Sequence, residues 1–286
     1  MESQVNFHGL DPKETIIEVA PRQGEHTIRE EDIYAQINEV GDELALVFWG
    51  GVNYYTGQVF DIGRMVQLAH SVGAICGIDL AHGVGNISLK LHDWGVDFAC
   101  WCSYKYLNSG PGGISGTFVH ERHAYKSDLP RFAGWWGYEE DKRFMMEAGF
   151  KPMAGAEGWQ LSNAPIFSMA CCKASMDIFD EVGMEKLEEK SVLLTNFMEF
   201  VLNDISIRYE NCNFEIITPK EIIARGCQLS VLMHGKGKEI FDFITTKGVI
   251  ADWREPNVIR LAPVPLYNTF NDVYQLGQII EQALKR

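Results

Sequence analysis

Residues 43–80 read ELALVFWGGVNYYTGQVFDIGRMVQLAHSVGAICGIDL. The apolar run at 43–50 suits a buried parallel strand. Residues 58–72 then place Ile62, Met65, Val66 and Ala69 at the i, i+3, i+4, i+7 spacing of one helix face, and Gly73 ends the segment. A second apolar run follows at 74–80. Strand, helix and strand in this order predict a β–α–β unit with a right-handed crossover.

Working outward, further strands are expected at 98–103 and 116–120, the second preceded by the glycine-rich SGPGGIS. From about residue 165 the pattern turns helical, at 165–183 and from 184 to about 202. Strands are then expected at 214–218, 227–234 and 258–262, with helices at 238–247 and from about 271. The expectation is an α/β domain over 1–165 followed by a smaller α+β domain over 166–286.

The chain has 286 residues, and its 46% hydrophobic and 22% charged content is that of a globular protein. A net charge of −14 works against binding a phosphate backbone, so nucleic acid is not an expected partner. No apolar stretch reaches the length of a membrane helix, and the first residues lack a signal-peptide pattern, so a cytoplasmic location is expected. The seven cysteines show no CxxC spacing and read as reduced thiols packed as small hydrophobes.

Two residues ask for chemistry. Asp79 closes an apolar strand, where a carboxylate is costly unless it has a partner or faces a cleft at the carboxyl edge of a sheet. Capping of the following turn is the competing reading. His82 lies three residues on, and an Asp/His metal pair would need further ligands that the spacing does not supply. Lys105 ends the strand FACWCS between Tyr104 and Tyr106, a setting in which its amine can be desolvated and form a Schiff base. Together, a strand-end Asp and a strand-end Lys before a glycine-rich turn are the parts pyridoxal phosphate requires. His120 and His123 in HERH have metal-like spacing but no supporting ligands, and are expected on the surface.

IDLAHGVGN (78–86), LHDWGVDFACWCSYKYLNSGPGG (91–113), GWWG (134–137) and RLAPVPLYN (260–268) together resemble kynureninase, a pyridoxal-phosphate hydrolase of the fold-type-I aminotransferase superfamily. The resemblance runs nearly from end to end. It implies a mainly parallel α/β large domain and hydrolysis of L-kynurenine or 3-hydroxy-L-kynurenine to anthranilate or 3-hydroxyanthranilate and L-alanine. That reaction lies in tryptophan catabolism toward NAD, and the full-length protein would be a homodimer.

Residue by residue, the resemblance implies that Lys105 carries the cofactor and that Asp79 partners its ring nitrogen. It sets His82 near the phenolic oxygen, and Tyr104 and Trp135 at the phosphate, with Tyr104 also relaying a proton. Asn163 of LSNAP would sit by the cofactor and the substrate's aromatic end, and Arg260 would clamp the α-carboxylate. No metal is implied. The sequence departs from the family at Gly50, where a serine is common. It also lacks the family's amino-terminal part, so the chain alone is expected to be inactive or weak. A non-catalytic chain pairing with a full-length subunit is the alternative, and a cysteine desulfurase or selenocysteine lyase relative is a second enzyme reading, disfavoured by APVPLYN.

Overall fold

The computed structural model describes residues 1–209 and 212–286. Two short helices, α1 (Glu2–Phe7) and α2 (Pro12–Thr15), and a longer α3 (Glu30–Val40) lead into β1 (Leu46–Gly50), α4 (Ile62–Ser71) and β2 (Ile75–Asp79). After α5 (Leu91–Trp94) come β3 (Phe98–Cys102) and β4 (Ser115–Val119). The chain then runs through α6 (Ile166–Val182), α7 (Met184–Arg208), β5 (Phe214–Ile216), β6 (Leu229–Met233), α8 (Gly237–Thr246), β7 (Asp252–Arg254), β8 (Val258–Leu261) and α9 (Phe270–Leu284).

The first sheet has the order β1-β2-β3-β4, with β1, β2 and β3 parallel and β4 antiparallel. Its core forms where the periodicity places it. Ile62, Met65, Val66 and Ala69 of α4 are all buried against Cys76, Ile78, Leu80, Val96 and Ala99. The helix starts at Ile62 because Asp61 accepts the Arg64 amide at 2.9 Å. Upstream of it, the Gln58 side chain is bonded to both backbone groups of Ile28. These bonds fix residues 58–61 as loop where the spacing predicts helix.

The second sheet, β5-β6-β8-β7, is fully antiparallel. Its core sets Leu194, Met198, Leu202 and Ile205 of α7 against Leu229, Val231 and Ile259, closed by Ile244 of α8 and Val273 and Ile280 of α9. Thr269 and Asp272 form a reciprocal capping box that starts α9.

A polar seam joins the two sheets. The loop at 53–58 offers backbone carbonyls to side chains far along the chain: Thr56 accepts from Thr218 at 2.5 Å, Tyr55 from Ser230 at 2.5 Å, and Tyr54 from Gln228 at 3.1 Å. Asn86 adds a second strand to the seam, accepting the Cys227 amide at 3.0 Å while donating to the His82 carbonyl at 3.0 Å.

The histidines of HERH are not surface residues. His120 is buried and His123 nearly so, because Asp97, at 2% exposure, collects them into the interior. The Asp97 carboxylate meets His70 Nε2 at 2.8 Å, His123 Nε2 at 2.7 Å and the Cys76 amide at 2.8 Å, and the backbone carbonyl of Asp97 accepts the His120 amide at 2.9 Å. No helix is long and apolar enough to cross a membrane among the described residues.

Candidate active site

Parallel strands end together, so the residues just beyond β1, β2 and β3 share one edge of the sheet. Gly50 and Asp79 are cross-strand partners there, and Lys105 follows the end of β3. The small domain closes over that edge. Asp79, His82, Lys105 and Arg260 line a single cavity of about 910 Å³, together with Tyr54 and Arg254. Four of the residues singled out in the sequence are thereby brought to one place.

Tyr104, Trp135 and Asn163 do not line this cavity. Tyr104 and Trp135 are each about half exposed, Asn163 is exposed, and the Trp135 indole donates to the Arg143 carbonyl at 3.2 Å.

The turn after β2 shapes the floor. Asp79 accepts the Ala81 amide at 2.8 Å through one carboxylate oxygen. His82 lies between Tyr54 and Tyr106, with ring centroids at 6.4 and 5.9 Å, and Tyr106 donates to Gln228 at 3.3 Å. Gly85 has φ of +78° and passes so close to the Lys105 segment that an added Cβ would sit 2.7 Å from the Tyr106 carbonyl. Gly85→Ala combines left-handed backbone strain with a backbone clash and is expected to destabilise by about 2–4 kcal/mol, read from the urea midpoint.

The cavity is locally basic in an acidic protein. Lys105, Arg254 and Arg260 face two carboxylates, Asp79 and Asp252. Burial, with Lys105 and the two arginines nearby, pushes His82 down to about 4. The folded value lies below the unfolded one, so the unfolded chain takes the proton first. Stability from this residue is complete above about pH 6.5 and is lost as pH falls toward 4. His82→Gln is expected to recover about 1 kcal/mol of the difference in unfolding free energy between pH 7 and pH 5, a figure discounted for partial exposure.

Sequence reasoning missed Tyr54, Gln228, Asp252 and Arg254. The only available signal was DWRE ahead of IRLAP, a charged pair on a strand three residues long.

Residues 10–216 match the family model for aminotransferase class-V, and residues 187–280 match that for the kynureninase C-terminal domain. A cysteine desulfurase structure from Thermococcus onnurineus superimposes with a TM-score of 0.76 at 16% identity, over 99% of this chain and 68% of that one, a likeness of fold. Fold and strand-edge lysine thus define a class-V aminotransferase architecture, a group of pyridoxal-phosphate-dependent proteins. Kynureninase from Flavobacterium psychrophilum is 56% identical over 99% of this chain and 66% of its own length. Kynureninase from Christiangramia forsetii is 53% identical over 99% and 67%. The chain belongs to the kynureninase family. It spans about two thirds of the length of the curated relatives it matches.

Proposed function

We propose that this chain carries the catalytic lysine and the carboxylate clamp of a kynureninase site, which hydrolyses L-kynurenine or 3-hydroxy-L-kynurenine to anthranilate or 3-hydroxyanthranilate and L-alanine. The observation that carries the reading is the convergence of Asp79, His82, Lys105 and Arg260 on one cavity.

The residues fit pyridoxal phosphate. His82 Nδ1 is buried with no hydrogen-bond partner, and the Lys105 ammonium has no carboxylate within ion-pair distance among the described residues. The excess of cations suits a ligand bearing a phosphate and a carboxylate. When bound, the cofactor supplies a protonated ring that takes up the electron pair released as a bond to the amino acid breaks. Asp79 would accept the ring N–H and keep that proton in place. Lys105 would hold the cofactor through its amine, and the same amine, when free, would move the proton at the amino acid's α-carbon. His82, neutral in this setting, offers its free ring nitrogen without adding charge beside Lys105. Arg260 grips the α-carboxylate.

The reading extends to a cytoplasmic homodimer with no nucleic-acid partner, divided into units over 1–165 and 166–286. Seven unpaired thiols support a reducing compartment. Tyr104 keeps its assignment to the cofactor phosphate beside Lys105, and Trp135 and Asn163 keep theirs to the cofactor region, reached across the dimer. The exposure of Trp135 and Phe144, packed edge to face at 5.3 Å, and of Ile166 and Phe167 just after Asn163 supports a surface that pairs. The same exposed surface supports the second reading, a non-catalytic chain bound to a full-length subunit.

Catalysis by the chain as it stands is expected to be weak or absent, so the test is spectroscopic. The purified chain is mixed with pyridoxal phosphate and its visible absorbance followed before and after L-kynurenine. A band that depends on Lys105 and shifts with L-kynurenine is the expected result. A chain that folds and gives no such band would sink the proposal.

A further inference from the structure

Asp252 and Arg260 are cross-strand partners on β7 and β8. The Asp252 Oδ2 atom accepts from Arg260 Nε at 2.7 Å and lies 2.6 Å from Arg260 Nη2. On the other side, Arg260 Nη1 donates to the Tyr54 carbonyl at 2.6 Å. A guanidinium has five N–H donors, one on Nε and two on each Nη. Asp252 takes the one on Nε and stands at ion-pair distance from Nη2, and Tyr54 takes one on Nη1. Each Nη therefore keeps at least one N–H that neither hydrogen bond uses, donors of the kind that meet the oxygens of a carboxylate.

Asp252 Oδ2 also lies 3.0 Å from Arg254 Nε, so one carboxylate oxygen sits between two guanidinium groups that line the same cavity. Without it, two like charges would face each other and the long Arg260 side chain, only 10% exposed, would lose the contact that sets its rotation.

We propose that Asp252 is a positioning residue for substrate binding: with the Tyr54 carbonyl it orients Arg260 so that its remaining N–H donors take the amino acid's α-carboxylate. This rests on the reading of Arg260 as the carboxylate clamp. Charge and positioning predict opposite signs. Removing a negative charge from the cavity should tighten an anion, whereas loosening the fork should weaken it.

The experiment labels the arginines of the full chain with phenylglyoxal, in the presence of pyridoxal phosphate, and reads Arg260 by peptide mass mapping while L-kynurenine is titrated as protectant. In Asp252→Ala the half-protecting concentration rises roughly tenfold to a hundredfold, and unprotected Arg260 labels faster. Asp252→Asn, which removes the charge but keeps an acceptor oxygen, shows a smaller rise. Kynurenine amide, lacking the carboxylate, protects no variant. An unchanged or lowered half-protecting concentration in both variants overturns the proposal. If Asp252→Ala does not fold, judged by far-UV circular dichroism, Asp252→Asn alone decides by the sign of its change. Failure of L-kynurenine to protect the unmutated chain removes Arg260 from the clamp and the proposal with it. Protection that is present but indifferent to Asp252 removes the proposal alone.

Discussion

Lys105→Ala is expected to abolish the borohydride-fixed adduct of pyridoxal phosphate completely, with no partial value. A covalent link needs an amine, and Lys105 is the lysine that lines the cavity with Asp79 and His82. The Tyr104 ring lies 5.9 Å from the ammonium to the centroid, and no acid ties it down among the described residues. Lysines that lie in surface ion pairs, such as Lys173 with Asp177 at 2.7 Å, are already engaged and far in sequence from the strand edge. The measurement is reduction of the mixture followed by peptide mass mapping. An adduct that persists in Lys105→Ala, or that maps to another lysine in the unmutated chain, removes Lys105 from its assigned role.

The second large effect is on stability. Asp97→Ala is expected to cost about 3–5 kcal/mol, because it strips the partner from two histidines and an amide in the interior. For a chain of this size that is a fall of roughly 6–15 °C in melting temperature. Burial alone would push the Asp97 carboxyl up. The Cys76 amide, His123 and His70 overcome it and hold it below the usual carboxylate range. Its contribution is therefore present above the unfolded carboxyl value and is lost as pH falls through the folded one. Asp97→Asn should accordingly flatten the acid limb of a stability profile below about pH 4. A melting temperature within 2 °C of the unmutated chain for Asp97→Ala would refute the interior role.

The four strands of the first sheet, the helix between the first two, and the placing of Asp79 and Lys105 at one edge were legible because each depends on a local pattern. An apolar run and a 3.6-residue spacing need no distant partner to be recognised. Other parts were not legible for physical reasons. Helix α3 buries only Ile33 and Ile37, too few residues to set up a period. Strand β7 is three residues long and exists through its ladder with β8. Asp97 looked like one more polar residue of HDWGVD, since its partners lie 21 to 27 positions away. The outward placement of Tyr104, Trp135 and Asn163 could not be read from motifs, which carry identity and spacing but no direction.

The loop at 53–58 has a consequence for how this sequence can change over generations. Its carbonyls are held by side chains 162 to 206 positions away, at Thr218, Gln228, Ser230 and Arg260. A backbone carbonyl cannot mutate, but its position can shift with any insertion in the loop. Such an insertion would have to be answered by matching change in the carboxyl-terminal third. Loop length and the carboxyl-terminal third are thus expected to change together. A chimaera that borrows residues 187–280 from a relative should assemble when the two loops have the same length, and should need the relative's loop as well when they do not.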